Sequence, residues 1–422
     1  MSERADIGAM KPGQAPVSLY VHVPFCVMKC AYCDFHSAPI PAEPGISEHF
    51  AWAVTEGAAH WAALGALDDV VSIYVGGGTP TTLGRSLVTL LDGVRDCARV
   101  RAGAEVTVES NPDTTDPVTA MHLAATGVTR FSLGVQSFDD DVLLTLGRCH
   151  DAARAERAAR ELAATGARLS LDLMCGVPGQ TLSSWRETLE RAIATGAGHV
   201  SVYPLALEEG TLLTKRVEAR ELVDPDPDLA AEMMELATEL LATAGMARYE
   251  VASYAREGEQ ALHNTGYWTG RPYVGIGPSA ASMVPAATFA SAIACETWGD
   301  PGVAGVGRTV DEVPPTASRV RFTHSTDTVA FLRKPVGPPE EVEFLSVAEA
   351  AAEDAMLGLR LAEGITTVLA ESAGASEALS TLAGQGLVEC TEGRWRVTQT
   401  GWLLGNEVFA AVWNAGARRG LA

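Results

Sequence analysis

The first two hundred residues repeat one rhythm, and that rhythm leaves few folds open. A short apolar, β-branched run is followed by a loop, and the loop by an Ala/Leu/Arg-rich stretch of helical period. Strands are expected at Ser18–Val23, Val70–Val75, Glu105–Glu109, Phe131–Val135, Leu169–Met174 and His199–Tyr203, with helices such as Asp151–Thr165 and Ser183–Thr195 between them. Strand–helix alternation builds a parallel sheet, because each helical crossover returns the chain to the same end of the sheet. Six such units predict an α/β fold with a partial (β/α)6 TIM-like barrel rather than a closed eight-fold one.

The residues just past each strand narrow the reading further. Cys26 to Cys33 come after the first, Gly76-Gly77-Gly78-Thr79-Pro80 after the second and Asn111-Pro112 after the third. Gln136-Ser137 come after the fourth, Gly176-Val177-Pro178-Gly179 after the fifth and Leu205-Ala206 after the sixth. Parallel α/β folds bind ligands at the carboxyl ends of their strands. The unusual residues therefore gather on one rim, which is an active-site layout.

Composition excludes several classes. Of 422 residues, 31 are basic and 53 acidic, a formal charge of -22, so no clustered cationic surface for nucleic acid is expected, and at most peripheral contact with a membrane. The segment from Met1 to Pro16 is polar and lacks an apolar signal core, and the eight cysteines do not space like a disulfide framework. A cytoplasmic protein, monomer or dimer, is expected. Four segments are expected: a flexible N-terminus (1–16), the barrel (17–283), a loop-rich connection and linker (284–339) ending in Pro335-Val336-Gly337-Pro338-Pro339, and a helical, winged-helix-like C-terminal domain (340–422). The last carries 12 acidic and 5 basic residues, so it reads as structural or protein-binding rather than DNA-binding.

Cys26-x3-Cys30-x2-Cys33 carries the strongest chemical signal. Three thiolates on one loop converge on a metal centre at little entropic cost, and thiolates are the usual ligands of iron–sulfur clusters. A [4Fe–4S] cube takes four, so with three one iron stays open to a small molecule. The competing reading is a structural zinc ion with His36 as fourth ligand.

The segment Tyr20-Val21-His22-Val23-Pro24-Phe25-Cys26-x3-Cys30-x-Tyr32-Cys33 resembles the cluster motif of the radical S-adenosylmethionine (SAM) superfamily. More narrowly, it resembles the branch that contains oxygen-independent coproporphyrinogen III oxidase and the HemW heme chaperones. The likeness continues through Gly76–Thr81, Glu109-Ser110-Asn111-Pro112, Gly134–Phe138, Leu146-Gly147-Arg148, Asp172-Leu173-Met174-x-Gly176-Val177-Pro178, His263-Asn264-x2-Tyr267-Trp268 and Leu357-Gly358-Leu359-Arg360.

The resemblance implies a barrel of the radical SAM type, with SAM chelating the open iron of a cluster held by Cys26, Cys30 and Cys33. It implies a SAM pocket lined by Tyr20, Phe35, Gly76, Gly77, Gly78, Thr79, Glu109, Gln136, Arg148 and Asp172. In that pocket Gly76–Gly78 would allow close backbone approach, Glu109 suits the ribose hydroxyls, and Arg148 suits the SAM carboxylate. The Gly275-Ile-Gly277-Pro-Ser-Ala280 run matches a dinucleotide fingerprint, but Pro278 and the lack of a crossover helix after it read it as a turn at the rim.

The resemblance implies two functions from different classes. One is a radical enzyme that decarboxylates coproporphyrinogen III, with a radical SAM methyltransferase as a further variant. The other is a chaperone that binds heme and passes it to heme-accepting proteins, respiratory enzymes among them. The decarboxylase pattern C-x3-C-x2-C-x-C places a fourth Cys where Phe35 stands here, and it carries more than the 25 residues that precede Cys26. The chaperone reading is therefore preferred. His263, Tyr267 and Trp268, matching its H-N-x-x-Y-W motif, are the expected heme-binding residues, with Arg271 a nearby cation for the propionates and His22, His150, Cys149 and Cys175 as substitute ligands. One departure stands out: where many relatives read G-x-G-A-H-S, this chain has Gly277-Pro278-Ser279-Ala280-Ala281-Ser282.

Overall fold

The structure, a computed structural model, describes residues 15–294 and 313–420. The expected flexible N-terminus, up to residue 14, and residues 295–312 of the expected connection lie outside the described residues. The first part of the chain runs β1 (Val17–Val23), a short pair β2 (Phe25–Cys26) and β3 (Ala38–Pro39), α1 (Ile46–Ala63), β4 (Val70–Gly77), α2 (Ser86–Cys97), β5 (Val100–Ser110) and α3 (Pro117–Ala125). It continues with β6 (Arg130–Gln136), α4 (Asp140–Leu146), α5 (Ala152–Ala163), β7 (Arg168–Cys175), α6 (Leu182–Ala194) and β8 (His199–Pro204). Each of the six expected strands lies inside one of these. The helices start where the sequence offers a cap: Asp139, Asp151 and Thr181 accept backbone N–H bonds at the heads of α4, α5 and α6.

These six strands pair in parallel in the order β1-β4-β5-β6-β7-β8. Their outward side chains, such as Leu19, Ile73, Val108, Leu133, Leu171 and Val200, are buried in one apolar core together with residues of the surrounding helices. Their inward side chains are polar. Thr107 and Glu109, Ser132 and Gln136, Ser170 and Asp172, and His199 and Ser201 alternate with that apolar set and line a cavity of about 380 Å³. The sheet curls around it: Tyr74 on β4 and Tyr203 on β8, four strands apart, line the same space. The result is the partial barrel of the radical SAM type, with an open lumen instead of the packed Val/Ile/Leu layers that fill a closed eight-stranded barrel.

Beyond β8 come α7 (Leu212–Glu218), α8 (Pro227–Thr243), β9 (Ala247–Arg248), β10 (Ser253–Ala255), α9 (Leu262–Trp268), β11 (Tyr273–Ile276), β12 (Ala281–Pro285), α10 (Ala286–Ile293), β13 (Ala317–Thr323), α11 (Thr328–Arg333) and β14 (Glu341–Ser346). β11 adds a seventh parallel strand beside β1, and β12, β13 and β14 extend that edge antiparallel. The segment expected as a loop-rich connection thus supplies sheet strands on either side of residues 295–312. Residues 341–346, expected within the C-terminal domain, form the edge strand of the large sheet.

The chain ends with α12 (Val347–Gly358), β15 (Ile365–Thr366), α13 (Thr367–Ser372), α14 (Ser376–Gly384), β16 (Val388–Thr391), β17 (Arg394–Val397), α15 (Gln399–Leu403) and α16 (Gly405–Gly420). The small sheet β15-β17-β16 beside three helices is the winged-helix-like arrangement, packed on its own apolar cluster around Leu359, Leu379, Val388 and Val408. A bidentate Arg319–Asp354 pair at 2.7 and 2.8 Å ties α12 to β13. Among the described residues no helix is long and apolar enough to cross a membrane.

Candidate functional site

The cysteine loop leaves β1 at Pro24 and is pinned on several sides. Ala38 N–H donates to Pro24 O and Ile40 N–H to Cys26 O, both at 2.9 Å, while Ala31 N–H reaches Leu146 O at 3.0 Å. His22, at the end of β1, bonds the far side of the loop through Nε2 and the His36 carbonyl oxygen (2.9 Å). Held this way, Cys26, Cys30 and Cys33 all line the mouth of the barrel cavity. Val27, Met28 and Phe35 on the same loop are 53, 49 and 62% exposed. Among the described residues no three His, Cys, Asp or Glu side chains are grouped to hold a single metal ion.

A chain of hydrogen bonds joins two of the thiols through the barrel wall. Arg148 Nη1 donates to Cys30 Sγ (3.4 Å), and its Nη2 to Asn111 Oδ1 (2.8 Å) and Gly134 O (2.6 Å). Asn111 Nδ2 donates to Thr79 Oγ1 (2.9 Å), and Thr79 Oγ1 to Cys26 Sγ (3.6 Å). Burial works against the Arg148 charge, but the Tyr32 phenol and Cys30 thiol beside it more than offset that and raise its pKa. Burial, with the neighbouring thiols adding to it, raises the pKa of the Cys33 thiol. Two of the three sulfurs thus each receive a side-chain donor.

The residues present fit the groups that the sequence implies. Arg148 Nε is buried without a partner, a donor left over for an anionic ligand. The glycine run forms a cradle that side chains would fill. A Cβ on Gly76 would fall 2.8 Å from the Glu109 carboxyl, one on Gly78 would meet the Phe25 carbonyl oxygen at 2.5 Å, and Gly77 has φ of +109°. Gly78 N–H and Thr79 N–H bind Val23 O (2.7 Å) and Phe25 O (2.6 Å), locking the run to the cysteine loop.

Two acids stand in the wall. Glu109 accepts from Tyr74 Oη (2.6 Å) and Gly77 N–H (3.0 Å). Burial pushes its pKa up to about 7 against those bonds, with Asp172 adding repulsion. Asp172 accepts from Ser132 Oγ at 3.0 Å, and burial lifts it to about 6. Gln136 reaches the cavity from a left-handed backbone, φ 65°, costly for a residue with a Cβ and held here by the end of a buried strand.

Of the residues expected in the SAM pocket, Phe35, Gly77, Gly78, Thr79, Glu109, Gln136, Arg148 and Asp172 line the cavity. Two do not. Tyr20 turns its hydroxyl to His22 Nδ1 (2.9 Å), with Tyr74 taking the cavity-facing place, and Gly76 lies beneath the Glu109 carboxyl. Asn111 lines it too, as its place on the rim implies, and so do Tyr74, Ser201 and Tyr203, which were not expected there. The signal of these three was the polar alternation within the strands, which a plain reading assigns to half-buried edges.

The expected heme residues His263, Tyr267 and Trp268 are not among those lining the cavity. His263 is 1% exposed; its Nδ1 is bonded to Ser72 Oγ (3.1 Å) and its Nε2 to Tyr267 Oη (2.9 Å). The ring packs behind Tyr74, with which it is in ring contact at 5.0 Å. Trp268 at the far end of α9 is covered by Arg360, 5.0 Å from its ring, and Arg271 Nη1 is turned onto Leu262 O. It is Asn264, from the same motif, that faces the cavity. Of the substitutes, His22 has both nitrogens bonded, His150 is buried with Nε2 at Val135 O and Nδ1 without a hydrogen-bond partner, and Cys175 is sealed in the core with its thiol pKa pushed up to about 12 by burial. Of these four, only Cys149 is exposed. The Gly275–Ala280 run is a strand-to-strand turn, with Gly277 at φ +117° packed on His22 O, and it leads into a strand rather than a helix.

Comparison with known proteins agrees with this geometry. The radical SAM superfamily profile matches residues 20–192, and that of the HemN C-terminal domain matches residues 345–404. The chain is similar to a protein of Mycobacterium tuberculosis named heme chaperone HemW, 43% identical over 276 residues that cover 64% of this chain and 70% of that protein. It is 32% identical to the heme chaperone HemW of Bacillus subtilis over 406 residues, 93% of this chain and 98% of that one. The solved structure of coproporphyrinogen III oxidase (HemN) from Escherichia coli shares the fold with a TM-score of 0.76, over 98% of this chain and 93% of that chain, at 20% identity. With kinship that runs nearly end to end, the chain belongs to the HemW family of radical SAM proteins.

Proposed function

We propose that this chain is a heme chaperone: it carries a SAM-binding [4Fe–4S] cluster, binds heme and transfers it to acceptor proteins in the cytoplasm. Cys26, Cys30 and Cys33 would hold the cluster. Arg148, with its unpartnered Nε, and the Gly77–Thr79 edge would orient the SAM carboxylate and amino group, and Glu109 the ribose. When bound, such a cluster supplies an open iron to chelate SAM and an electron to reduce it. The chain's own part is to place the Arg148 and Thr79 donors on two of the sulfurs and to fix the ligand's orientation against the glycine cradle.

One observation carries the chaperone reading over the decarboxylase reading: position 35 is a phenylalanine, 62% exposed at the cavity mouth, where the oxidase pattern has a fourth cysteine. The near full-length likeness to a protein named as a heme chaperone supports the same side. The test is to reconstitute the cluster anaerobically and run two assays on one preparation. Hemin should bind saturably, and coproporphyrinogen III with SAM and a reductant should yield no protoporphyrinogen above a cluster-free control. Steady turnover would overturn the reading.

A further inference from the structure

The cavity does not end at the thiols and the two acids. Its lining continues down the strands to Thr107, Arg130, Ser170 and His199, at the amino-terminal half of the barrel. Arg130 is 1% exposed and fully engaged: Nε donates to Glu105 (3.2 Å), Nη1 to Ser170 Oγ (2.9 Å) and Nη2 to Glu259 O (2.9 Å). Arg168 shares the Glu105 carboxylate at 3.3 Å. Across the ladders Thr107 faces Arg130 and Ser170 faces His199, so these four residues share one floor, with the guanidinium bonded to Ser170.

Two polar atoms of that floor have no partner. His199 is 2% exposed and Thr107 1%, yet His199 Nδ1 and Thr107 Oγ1 bond to nothing. Buried polar atoms are left unpaired only rarely, and an orphan that lines a cavity marks a place for water or a ligand. Both can donate. Tyr249 Oη accepts from Ala261 N–H (3.1 Å) and lies 2.9 Å from His199 Nε2, to which its own proton can be given. In that tautomer the neutral ring carries its proton on Nδ1, the atom without a partner. Ser170 Oγ, having accepted from Arg130, has its proton left to give. Burial keeps the His199 ring neutral, and the positive fields of Arg130 and Arg168 reinforce that.

We propose that the barrel floor is a second subsite that binds a carboxylate, received by His199 Nδ1–H, Thr107 O–H and Ser170 O–H in the field of Arg130. The carboxylate is either a small free acid or the acidic arm of a larger molecule seated in the cavity. The second source rests on the heme reading above; the first does not.

The experiment uses the full-length, cluster-loaded protein without SAM. Acetate is titrated by ligand-observed saturation-transfer NMR against the parent, Thr107→Val and His199→Phe. Saturable binding in the parent, weakened at least fivefold in Thr107→Val, is the expected result; that replacement is isosteric, and His199→Phe is a second probe should either variant fold poorly. A flat titration in the parent, or equal binding in the folded variants, overturns the proposal and leaves the floor to ordered water. A parallel titration of hemin and its dimethyl ester separates the sources. A preference for hemin that vanishes in Thr107→Val assigns the floor to a porphyrin arm, and equal binding of the two beside a positive acetate signal assigns it to a free acid.

Discussion

The two ends of the barrel are built from the same strands and behave oppositely. At the mouth, the cysteine loop exposes Val27, Met28 and Phe35, and its polar groups keep capacity in hand: three free thiols and an unpartnered Arg148 Nε. At the floor, Glu105 is fully buried and accepts from Arg130, Arg168 and the His263 backbone N–H (3.1 Å). The strands leave the sheet at the mouth, where loops vary without disturbing the core, and the chemistry collects there. At the floor the charged groups are fixed by tertiary partners, so a change there is felt by the fold.

The sharpest way to break this contrast is to remove one thiol. Cys30→Ala should take the anaerobic protein from about four irons per chain to nearly none, with circular dichroism and the unfolding midpoint of the cluster-free protein unchanged. Retained iron–sulfur absorption would show that the mouth is not the cluster site. Next in size is Glu105→Ala, which strands Arg130 in a dry interior. Losing one partner of a buried pair costs about 3–5 kcal/mol, and denaturant titration should read a loss of that order. A loss below about 1 kcal/mol, the surface range, would mean that the floor is wetter than its geometry implies.

His263→Ala tests whether the ring is a packing residue or a heme ligand. The change frees Ser72 Oγ and Tyr267 Oη, so stability should fall by about 1–3 kcal/mol, while hemin affinity and spectrum stay within about twofold, well under the tenfold that 1.4 kcal/mol would give. A large loss of hemin binding in folded protein would restore His263 as a ligand and require its ring to turn.

The smallest effect concerns pH. Glu109 and Asp172 titrate near 7 and 6, above their ordinary 4.5 and 3.8, so the folded state holds more protons than the unfolded chain. Stability contributed by these groups is therefore present at low pH and falls as pH rises through about 4 to 7. Thermal unfolding of parent and Glu109→Gln across that window should show a shallower slope in the variant; identical slopes would mean that Glu109 has the same pKa folded and unfolded.

The mouth was legible in the sequence because its signal is local. Three cysteines on one loop, a glycine run and the strand-end residues each announce themselves within a few positions, and β-branched runs place the six strands. The floor was hidden because its meaning is long-range. Thr107, Ser170 and His199 are ordinary residues in alternating strands, and only the curl of the sheet makes their shared face a lumen. The setting of His263 was hidden for a related reason: its aromatic neighbours are visible in the chain, but its Nδ1 is bonded to Ser72, nearly two hundred positions away. Strands β12 to β14 escaped because Gly277, Pro278 and the polar Ser325–Asp327 break the apolar runs around them.

The back of the barrel is finished late in the life of each chain. Trp268 is covered by Arg360, Arg360 lies over Phe409, and Trp402 Nε1 donates to Val251 O (2.8 Å) while Arg248 stacks on its ring. A ribosome that has just released Trp268 must add about 140 more residues before Phe409 emerges, roughly 7–30 s at ordinary elongation rates. For that interval the nascent barrel presents an uncovered tryptophan and an unclaimed carbonyl to whatever binds unfinished proteins. A synonymous change that slows translation after residue 268 would lengthen the exposure without altering one atom of the finished molecule.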